Sequence, residues 1–408
     1  MSKNNNFFGQ PIFSQLINLL DPLKISKRST EYRSDHYCKR FDTFQHTITM
    51  LYGVLSSCNS MRELCTGIVS YGDKIAHCKF DYAPRRSTIS DANKRRDCVV
   101  FEAIYSDLVA EHLPFLSDSH KSLVANKRVY AIDSTTISLF QPIFECVGRT
   151  PNNGKRKGGI KSHQKLDMQA GIPVNVYHSH AREHDSLFIQ RQGVMNPGEV
   201  GLFDKAYNNY QLFDQWNQQG IYFVTRMKNN AKEELLLEYD LPEATPDQVL
   251  RDAKIGLNYT EKDTGEKKQV ELRLVSYYVP EKNKAYYFLT KLFELPAEQI
   301  AHLYKKRWEV ELLFKKIKQN FPLQYFYGDN QNAIQIQIWA TLIALLLVSV
   351  LKKRLTKPWS FSNLISLLQK HLFTYAKFTD FFNNVDAYAK EFVRNKGAPA
   401  EFQGKFDF

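Results

Sequence analysis

Several features that define other classes of protein are missing from this 408-residue sequence. Its six cysteines include no C-x-x-C pair, and its first residues, MSKNNNFFGQPIFSQL, contain no continuous apolar run of the signal-peptide kind. These absences argue against a secreted, disulfide-stabilised protein. We therefore expect reduced thiols in a cytoplasmic protein.

Long hydrophobic runs are scarce as well. The one membrane-like segment, residues 333–351, carries no charge but is interrupted early by Gln335 and Gln337. It is single and barely long enough to cross a bilayer. We predict a buried core helix here, and no membrane partner.

A complete phosphate-binding P-loop is also missing. Gly154 and Gly159 have the P-loop spacing, but Ile160 stands where a lysine must follow. The sequence GKRKGGIKS is better explained as a basic loop near DNA, with a solvated turn as the alternative. Its candidate DNA-binding residues are Lys155, Arg156 and Lys157.

The composition is that of a folded, basic protein. Hydrophobic residues make up 43% and aromatic residues 13% of the chain, enough for two or three domains with a sizeable core. The formal charge of +12 predicts attraction to polyanions. Because the basic residues are spread along the chain, nucleic acid is favoured over a membrane surface.

The N-terminal part is predicted to be helical. Apolar residues between Phe41 and Leu55 recur at helical spacing. Further on, the sequence APRRSTISDANKRRD predicts a helix that Ser87 or Thr88 caps. Basic residues at both ends make it a candidate for a DNA backbone or groove, with a solvated surface helix as the alternative. These candidates are Arg85, Arg86, Lys94, Arg95 and Arg96.

From about residue 127 short apolar runs alternate with helical segments, which predicts an α/β sheet. RVYAIDSTTISLF is a predicted strand that carries Asp133, and EVGLFDKAY is another that ends at Asp204. IPVNVYH and IYFVTRMK are predicted strands as well. Two aspartates therefore lie at strand ends, before a β-rich stretch at about residues 229–291.

The sequence LYKKRWEVELLFKKIKQNF predicts one amphipathic helix beginning near Pro296. At about 100° per residue, one stripe at the edge of its apolar face would carry four polar residues. They are Tyr304, Arg307, Glu311 and Lys318. The alternative is an ordinary i,i+4 ion pair of Arg307 with Glu311 on a solvated face, worth about 0.3 to 0.5 kcal/mol.

Three converging carboxylates could hold metal ions. Transfer of a phosphoryl group between nucleic-acid strands uses two Mg²⁺ ions about 4 Å apart, which are bound by hard oxygen ligands. Asp133, Asp204 and Glu311 would supply them. Without metal, their mutual repulsion should raise the pKa of at least one.

The spacing Y-x2-R-x3-E-x6-K, from Tyr304 to Lys318, resembles the signature of bacterial insertion-sequence DDE transposases of family four. DKAY followed by YFVTRMK resembles that family's second-aspartate region, and YAIDSTTISL its first. FGQPIFSQLINLL and RSTISDANKRRD resemble an N-terminal helical domain of many members. The resemblance covers residues 7 to about 355.

The resemblance implies an α/β fold with an RNase H-like catalytic core, a β-rich insertion and a preceding helical domain. The expected boundaries are given as ranges: a helical DNA-binding domain at 1–120, the first part of the core at 121–230, the insertion at 231–291, the second part with the glutamate helix at 292–355, and a helical tail at 356–408.

The resemblance also implies an activity, cut-and-paste transposition of an insertion sequence, with cleavage that proceeds through a hairpin in some members. Asp133, Asp204 and Glu311 would be the catalytic, metal-binding triad, holding two Mg²⁺ ions or Mn²⁺ as the alternative. Tyr304, Arg307 and Lys318 would contact DNA phosphates. The expected partners are double-stranded DNA, as terminal inverted repeats and target, and a second copy in a homodimer. The protein would be cytoplasmic and associate with the nucleoid when bound to DNA.

Other classes of function stay open at this point. His178 and His180 share one strand face near His184 and could form a different metal site, that of a zinc hydrolase. A catalytically silent DNA-binding repressor with a transposase fold is a second alternative. A third is an RNase H-like nuclease that cuts DNA without joining it.

Overall fold

The computed structural model describes residues 10–118, 123–138, 159–181 and 183–386. The first of these segments is helical, as the sequence predicts. Its helices are α1 (Ile12–Ile17), α2 (Pro22–Glu31), α3 (Thr43–Leu55), α4 (Met61–Ser70), α5 (Arg86–Arg95) and α6 (Val99–Leu116), with a 3₁₀ turn at Gly72–Cys78.

The capping prediction for α5 is wrong. The helix begins at Arg86, and its N-cap residue Arg85 makes no side-chain hydrogen bond. Ser87 and Thr88 therefore lie inside the first turn rather than before it. The helix follows Pro84, which cannot donate a backbone hydrogen bond and adopts a fixed backbone angle.

One sheet of nine strands dominates the rest of the fold, in the order β3-β2-β1-β4-β5-β9-β8-β7-β6. The strands are β1 (Val129–Ser138), β2 (Gly159–Asp167), β3 (Ile172–His180), β4 (Val200–Phe203), β5 (Tyr222–Arg226), β6 (Glu233–Glu238), β7 (Val249–Thr260), β8 (Lys267–Val279) and β9 (Lys284–Thr290). Among the described strands, two neighbouring pairs are parallel, β1 with β4 and β4 with β5, and the other pairs are antiparallel. The predicted mixed α/β class is confirmed.

The stretch predicted as a β-rich insertion extends the sheet of the core. Strand β9 pairs antiparallel with β5, with Thr225 opposite Leu289, and β8, β7 and β6 follow outward. Helix α8 (Tyr210–Gln219) and helix α9 (Ala297–Lys305) both contact β7 and β8. The insertion is therefore continuous with the strand that follows Asp204.

Strand β2 replaces part of the predicted basic loop. Its sequence GIKSHQKLD has few apolar residues, yet most of its side chains are buried. In the sheet, β2 lies between β1 and β3. Gly159 starts the strand, and a Cβ atom there would lie 2.8 Å from Cγ2 of Thr136. Because β1 approaches so closely, residue 159 has no room for a larger side chain, which explains why it is a glycine. Lys155, Arg156 and Lys157 lie outside the described residues.

The apolar segment predicted as a core helix is α11 (Gln331–Lys353), which follows α10 (Trp308–Asn320). It is long and apolar enough to span a membrane, but 89% of its most apolar window is buried inside the protein. Its side chains pack on α3, α5 and α6. The Gln337 amide is buried and donates to the carbonyls of Pro322 and Tyr325, while its oxygen accepts from the Tyr327 N–H. The Gln337 side chain, a polar group within an apolar helix, thus makes its hydrogen bonds inside the protein.

The C-terminal part of the described chain packs on the N-terminal helices. It contains α12 (Phe361–His371) and α13 (Phe378–Asn383). The N–H groups of Ile12 and Phe13 donate to the carbonyls of Thr374 and Leu372. The sheet region also contains the short helix α7 (Asp185–Ile189), between β3 and β4.

Candidate active site

The two predicted aspartates lie side by side on neighbouring strands, but the prediction that both lie at strand ends is wrong for Asp133. Asp204 follows the last residue of β4, whereas Asp133 lies in the middle of β1, which continues to Ser138. Parallel strands β1 and β4 pair Ile132 with Phe203, and the next residues are Asp133 and Asp204. Adjacent strands are about 4.8 Å apart, so the two backbones are close at this level. Asp204 also caps the 3₁₀ turn at Lys205–Tyr207, because its Oδ1 accepts from the Ala206 N–H.

The prediction of one continuous helix through Tyr304 and Glu311 is wrong at its centre. Helix α9 ends at Lys305 and α10 begins at Trp308. At the junction, the Lys306 and Arg307 N–H groups donate to carbonyls three residues earlier, those of Leu303 and Tyr304. This 3₁₀-type tightening shifts the register between the two helices.

Helix α10 packs across β1 and brings Arg307 between two carboxylates. Its Nη1 donates to Oδ2 of Asp133 at 2.9 Å, and its Nη2 to Oε1 of Glu311 at 2.5 Å. Arg307 is only 8% exposed. The ion pair with Glu311 therefore exists, but it belongs to a buried bridge and not to a solvated helix face.

Asp204 has a separate partner that the sequence interpretation missed. Arg226, at the end of β5, donates from Nη2 to Oδ2 of Asp204 at 2.6 Å. Its guanidinium lies 5.9 Å from the ring centre of Tyr304. The signal was present in YFVTRMK, since the end of the strand beside β4 must lie near Asp204.

Tyr304 and Lys318 lie near these groups but differ in environment. The hydroxyl of Tyr304 is buried and, like the Nε atoms of Arg226 and Arg307, makes no hydrogen bond to any described residue. Lys318 is exposed, and its Nζ donates to the carbonyl of Thr136 on β1 at 3.0 Å. The predicted stripe of polar residues therefore lies near β1. Three buried donor groups there make no hydrogen bond to a described residue: the Tyr304 hydroxyl and the Nε groups of Arg226 and Arg307.

Burial dominates the electrostatics of Asp133. It raises the pKa of that carboxyl to about 6; the Ser134 N–H and Arg307 act against it, and the charges of Glu311 and Asp185 add to it. The predicted direction agrees, but burial is a larger cause than the repulsion we expected. For Asp204 burial also raises the pKa, but the hydrogen bond and charge of Arg226 outweigh it and leave the pKa below its usual value.

The donor set suits a hard divalent cation, because all three predicted ligands offer carboxylate oxygens. Within the part of the chain that the structure describes, however, no three His, Cys, Asp or Glu side chains are arranged as a metal site. Arginines provide the countercharge to Asp133, Asp204 and Glu311. Metal binding by these residues stays a prediction.

The basic candidates around α5 divide into two groups. Arg85, Arg86, Lys94 and Arg95 are exposed. Arg96 is 3% exposed and donates to Asp35 Oδ1 at 2.8 Å and to the Phe41 carbonyl at 2.6 Å. The prediction that Arg96 contacts DNA is wrong, because its guanidinium is enclosed by protein.

The histidine alternative has no support among the described residues. The ring of His178 packs on Trp339 with ring centres 4.9 Å apart, and burial lowers its pKa to about 3. His180, at the end of the same strand, is exposed. Neither belongs to a group of potential metal ligands in the described ranges.

Comparison with known proteins gives consistent results. The family described as Transposase DDE domain matches residues 125–347, and the family described as Domain of unknown function (DUF4372) matches residues 8–79. "Putative transposase y4zB" of Sinorhizobium fredii is 30% identical over 68% of this chain and 74% of that protein. "Putative transposase for insertion sequence element IS4SA" of Synechocystis sp. is 26% identical over 65% of this chain and 71% of that protein.

Two further similarities have lower sequence identity. "Transposase for insertion sequence element IS231F" of Bacillus thuringiensis subsp. israelensis is 23% identical over 62% of this chain and 64% of that protein. A solved piggyBac transposase synaptic complex with hairpin DNA aligns with a TM-score of 0.40 and 15% identity, over 97% of this chain and 87% of that chain.

Proposed function

This chain belongs to the Transposase DDE domain family and is a transposase, and from that premise we propose that Asp133, Asp204 and Glu311 are its catalytic carboxylates. The resemblance to bacterial insertion-sequence transposases is confirmed by the relatives, and the sheet fits the RNase H-like core that the family implies. The single observation that supports the triad best is the Arg307 bridge between Asp133 and Glu311, which lie on different elements.

The arrangement of charge supports a metal-dependent reaction. Three carboxylates from β1, the end of β4 and α10 face two arginines that are partly or fully buried. The three carboxylate side chains are partly buried, at 20 to 33% exposure, and a nearby countercharge stabilises their ionised form. We infer that Asp133, Asp204 and Glu311 exchange their arginine partners for two Mg²⁺ ions, with Mn²⁺ as the alternative. Bound there, the metals would activate the attacking oxygen and stabilise the leaving oxygen.

Arg307, Tyr304 and Lys318 are proposed to hold DNA phosphates near the cut. Arg307 retains a free Nε, and the Tyr304 hydroxyl is a buried donor with no described partner. A phosphate accepts several hydrogen bonds from such groups, and arginine suits it geometrically. Once another cation neutralises Asp133 and Glu311, the Arg307 guanidinium becomes available for this role.

The proposed DNA partners are the terminal inverted repeats of an insertion sequence and a target duplex. The charge of +12 and the four exposed basic residues of α5 support binding to the phosphate backbone. We propose cut-and-paste transposition by strand cleavage and strand transfer. Because two ends must be joined, the active form is proposed to be a homodimer on DNA, acting in the cytoplasm at the nucleoid.

Glu311→Ala tests the assignment, with Glu309→Ala as the matched control. Glu309 lies on the same helix and pairs with the exposed Lys306. The assay uses purified protein, Mg²⁺ and donor DNA carrying the terminal repeats of the element. We expect cleavage and strand transfer to disappear in Glu311→Ala and persist in Glu309→Ala, while both variants bind the repeats.

Three outcomes would each contradict part of the proposal. Binding of the repeats without cleavage by the unaltered protein would favour the repressor. Equal cleavage by the unaltered protein and Glu311→Ala would remove Glu311 from the catalytic set. Nicking without joined products would indicate the nuclease alternative and would contradict the strand-transfer step.

A further inference from the structure

A second polar cluster is connected to Asp133 through the next residue, Ser134. The Ser134 N–H donates to Oδ1 of Asp133 at 2.8 Å. The Ser134 hydroxyl donates to Oδ1 of Asp185 at 2.5 Å. One residue thus joins a proposed metal ligand to a carboxylate 51 positions later in the chain.

Asp185 is itself held in place by strand β2. Lys161 Nζ lies 3.2 Å from Oδ1 of Asp185 and donates to the Glu183 carbonyl at 2.7 Å. His163 Nδ1 lies 3.7 Å from the same oxygen. Since β2 pairs with β1 and places His163 opposite Ser134, three elements meet at this carboxylate. Asp185 is the first residue of α7, so the short helix is fastened to β1 here.

The orientation of the Asp133 carboxyl depends on both of its oxygens. Oδ1 accepts from the Ser134 N–H, and Oδ2 accepts from Arg307. Without a fixed Ser134 backbone, the carboxyl could rotate, and Oδ2 would no longer be held toward Arg307 and Glu311. Groups that orient a metal ligand from behind typically contribute tenfold or more to metal affinity.

We propose that Asp185 is a positioning residue of the transposase: by accepting the Ser134 hydroxyl it fixes the middle of β1, and with it the Asp133 oxygen that receives the metal. This inference depends on the proposed metal-binding role of Asp133. Asp185 does not contact the metal or the DNA in this proposal, and it acts only through Ser134.

Direct binding of Mn²⁺ to the DNA-free protein, measured by electron paramagnetic resonance, tests the inference without any activity assay. We expect Asp185→Ala, which removes the acceptor oxygen that an asparagine would keep, and Ser134→Ala each to raise the dissociation constant for Mn²⁺ by about tenfold. The double variant should be no weaker than the weaker single variant. Ser134→Thr, which retains a hydroxyl, should stay within about twofold of the unaltered protein.

The matched control is Asp214→Ala. Asp214 is also a helical carboxylate that accepts one side-chain hydroxyl, that of Tyr259 at 2.8 Å, but it lies on α8 against the β7–β8 part of the sheet. It should leave Mn²⁺ affinity unchanged. Thermal unfolding of each variant confirms that the protein measured is folded, and Ser134→Ala, which keeps every charge, serves where Asp185→Ala does not fold.

The outcomes separate this inference from the proposed function. If Asp133→Asn abolishes Mn²⁺ binding while Asp185→Ala and Ser134→Ala do not weaken it, Asp133 stands as a ligand and the positioning role is wrong. If Asp185→Ala weakens binding but Ser134→Ala does not, Asp185 acts by a route other than the Ser134 hydroxyl, and the positioning role is again wrong. If Asp133→Asn leaves binding unchanged, the proposed metal site itself fails.

Discussion

Arg307 Nη1 and Asp133 Oδ2 are 2.9 Å apart, although 174 residues separate them in the chain. The contact joins the start of α10 to the middle of β1, and the second nitrogen of the same guanidinium holds Glu311. A residue proposed to bind DNA phosphate is thus a structural countercharge when no metal is bound. The two roles predict different responses to metal.

Arg307→Ala should destabilise the metal-free protein. Its removal leaves Asp133 without its charged partner in a buried site, which typically costs about 3 to 5 kcal/mol. The free energy of unfolding in urea, measured with EDTA, checks this. Lys306→Ala is the control, because Lys306 is exposed and pairs only with Glu309 at 3.4 Å, and it should change stability by less than about 0.5 kcal/mol.

Metal should compensate for the lost arginine. In Arg307→Ala, Mg²⁺ no longer competes with a guanidinium for Asp133 and Glu311. We therefore expect Mg²⁺ to raise the free energy of unfolding of Arg307→Ala more than that of the unaltered protein. Equal stabilisation of both proteins by Mg²⁺ would show that Arg307 and the metal do not share these carboxylates.

The stability of the metal-free protein should depend on Asp133 between about pH 4 and 6. Burial raises the pKa of Asp133 to about 6 in the folded protein, against about 3.9 in an unfolded chain. The folded protein therefore binds this proton more tightly. Its contribution to stability is complete below about pH 4 and is lost as the pH rises through about 6.

Asp133→Asn removes this dependence. Relative to the unaltered protein, the variant should gain free energy of unfolding as the pH rises from 4 to 7, by at most about 3 kcal/mol. Urea unfolding with EDTA at several pH values measures the difference. Asp91→Asn, at an exposed ion pair with Arg95, is the control and should show a small, nearly constant difference. A constant difference for Asp133→Asn as well would contradict the prediction.

Local sequence was sufficient to place the carboxylates. A short apolar run followed by an aspartate located both Asp133 and Asp204, but it marks a strand end only for Asp204, because β1 continues through Asp133 to Ser138. The glutamate helix was recognisable by its apolar face, but its break at Lys306 and Arg307 was not, because every residue there is compatible with a continuous helix. The tertiary contact of Arg307 with β1 lies outside any local pattern.

Strand β2 and Arg96 were misjudged because burial cannot be deduced from polarity alone. β2 is rich in polar residues yet is sandwiched between two strands, where Lys165 pairs with Glu199 and His163 with the Ser179 hydroxyl. Arg96 follows Arg95 directly in the sequence but points into the helical domain. In both cases the partners lie far away in the chain, and only the assembled fold brings them together.

Arg96 is expected to contribute to stability and not to DNA binding. Arg96→Ala removes a buried guanidinium that holds Asp35 and the Phe41 carbonyl, and should lower the free energy of unfolding by about 3 to 5 kcal/mol. Arg95→Ala, one residue earlier and exposed, should change it by less than about 1 kcal/mol. Equal stability of the two variants in urea would contradict the buried role of Arg96.

The exposed basic residues of α5 should determine part of the salt dependence of DNA binding. Each phosphate contact that is lost reduces the slope of log K against log salt by about 0.9. The test variant replaces four residues with glutamine: Arg85, Arg86, Lys94 and Arg95. Its slope, measured with terminal-repeat DNA by fluorescence anisotropy, should be smaller in magnitude by about 3 to 4 than that of the unaltered protein.

A control variant that loses the same number of positive charges elsewhere distinguishes direct contact of α5 with DNA from attraction by the net charge of the protein. It replaces four exposed lysines between β7 and the start of β9 with glutamine: Lys262, Lys267, Lys282 and Lys284. If α5 lies on the DNA backbone, the α5 variant loses slope and the control loses less than about one contact. If both variants lose the same small amount, the charges of α5 act only through the net charge of the protein, and α5 is the solvated surface helix of the alternative interpretation.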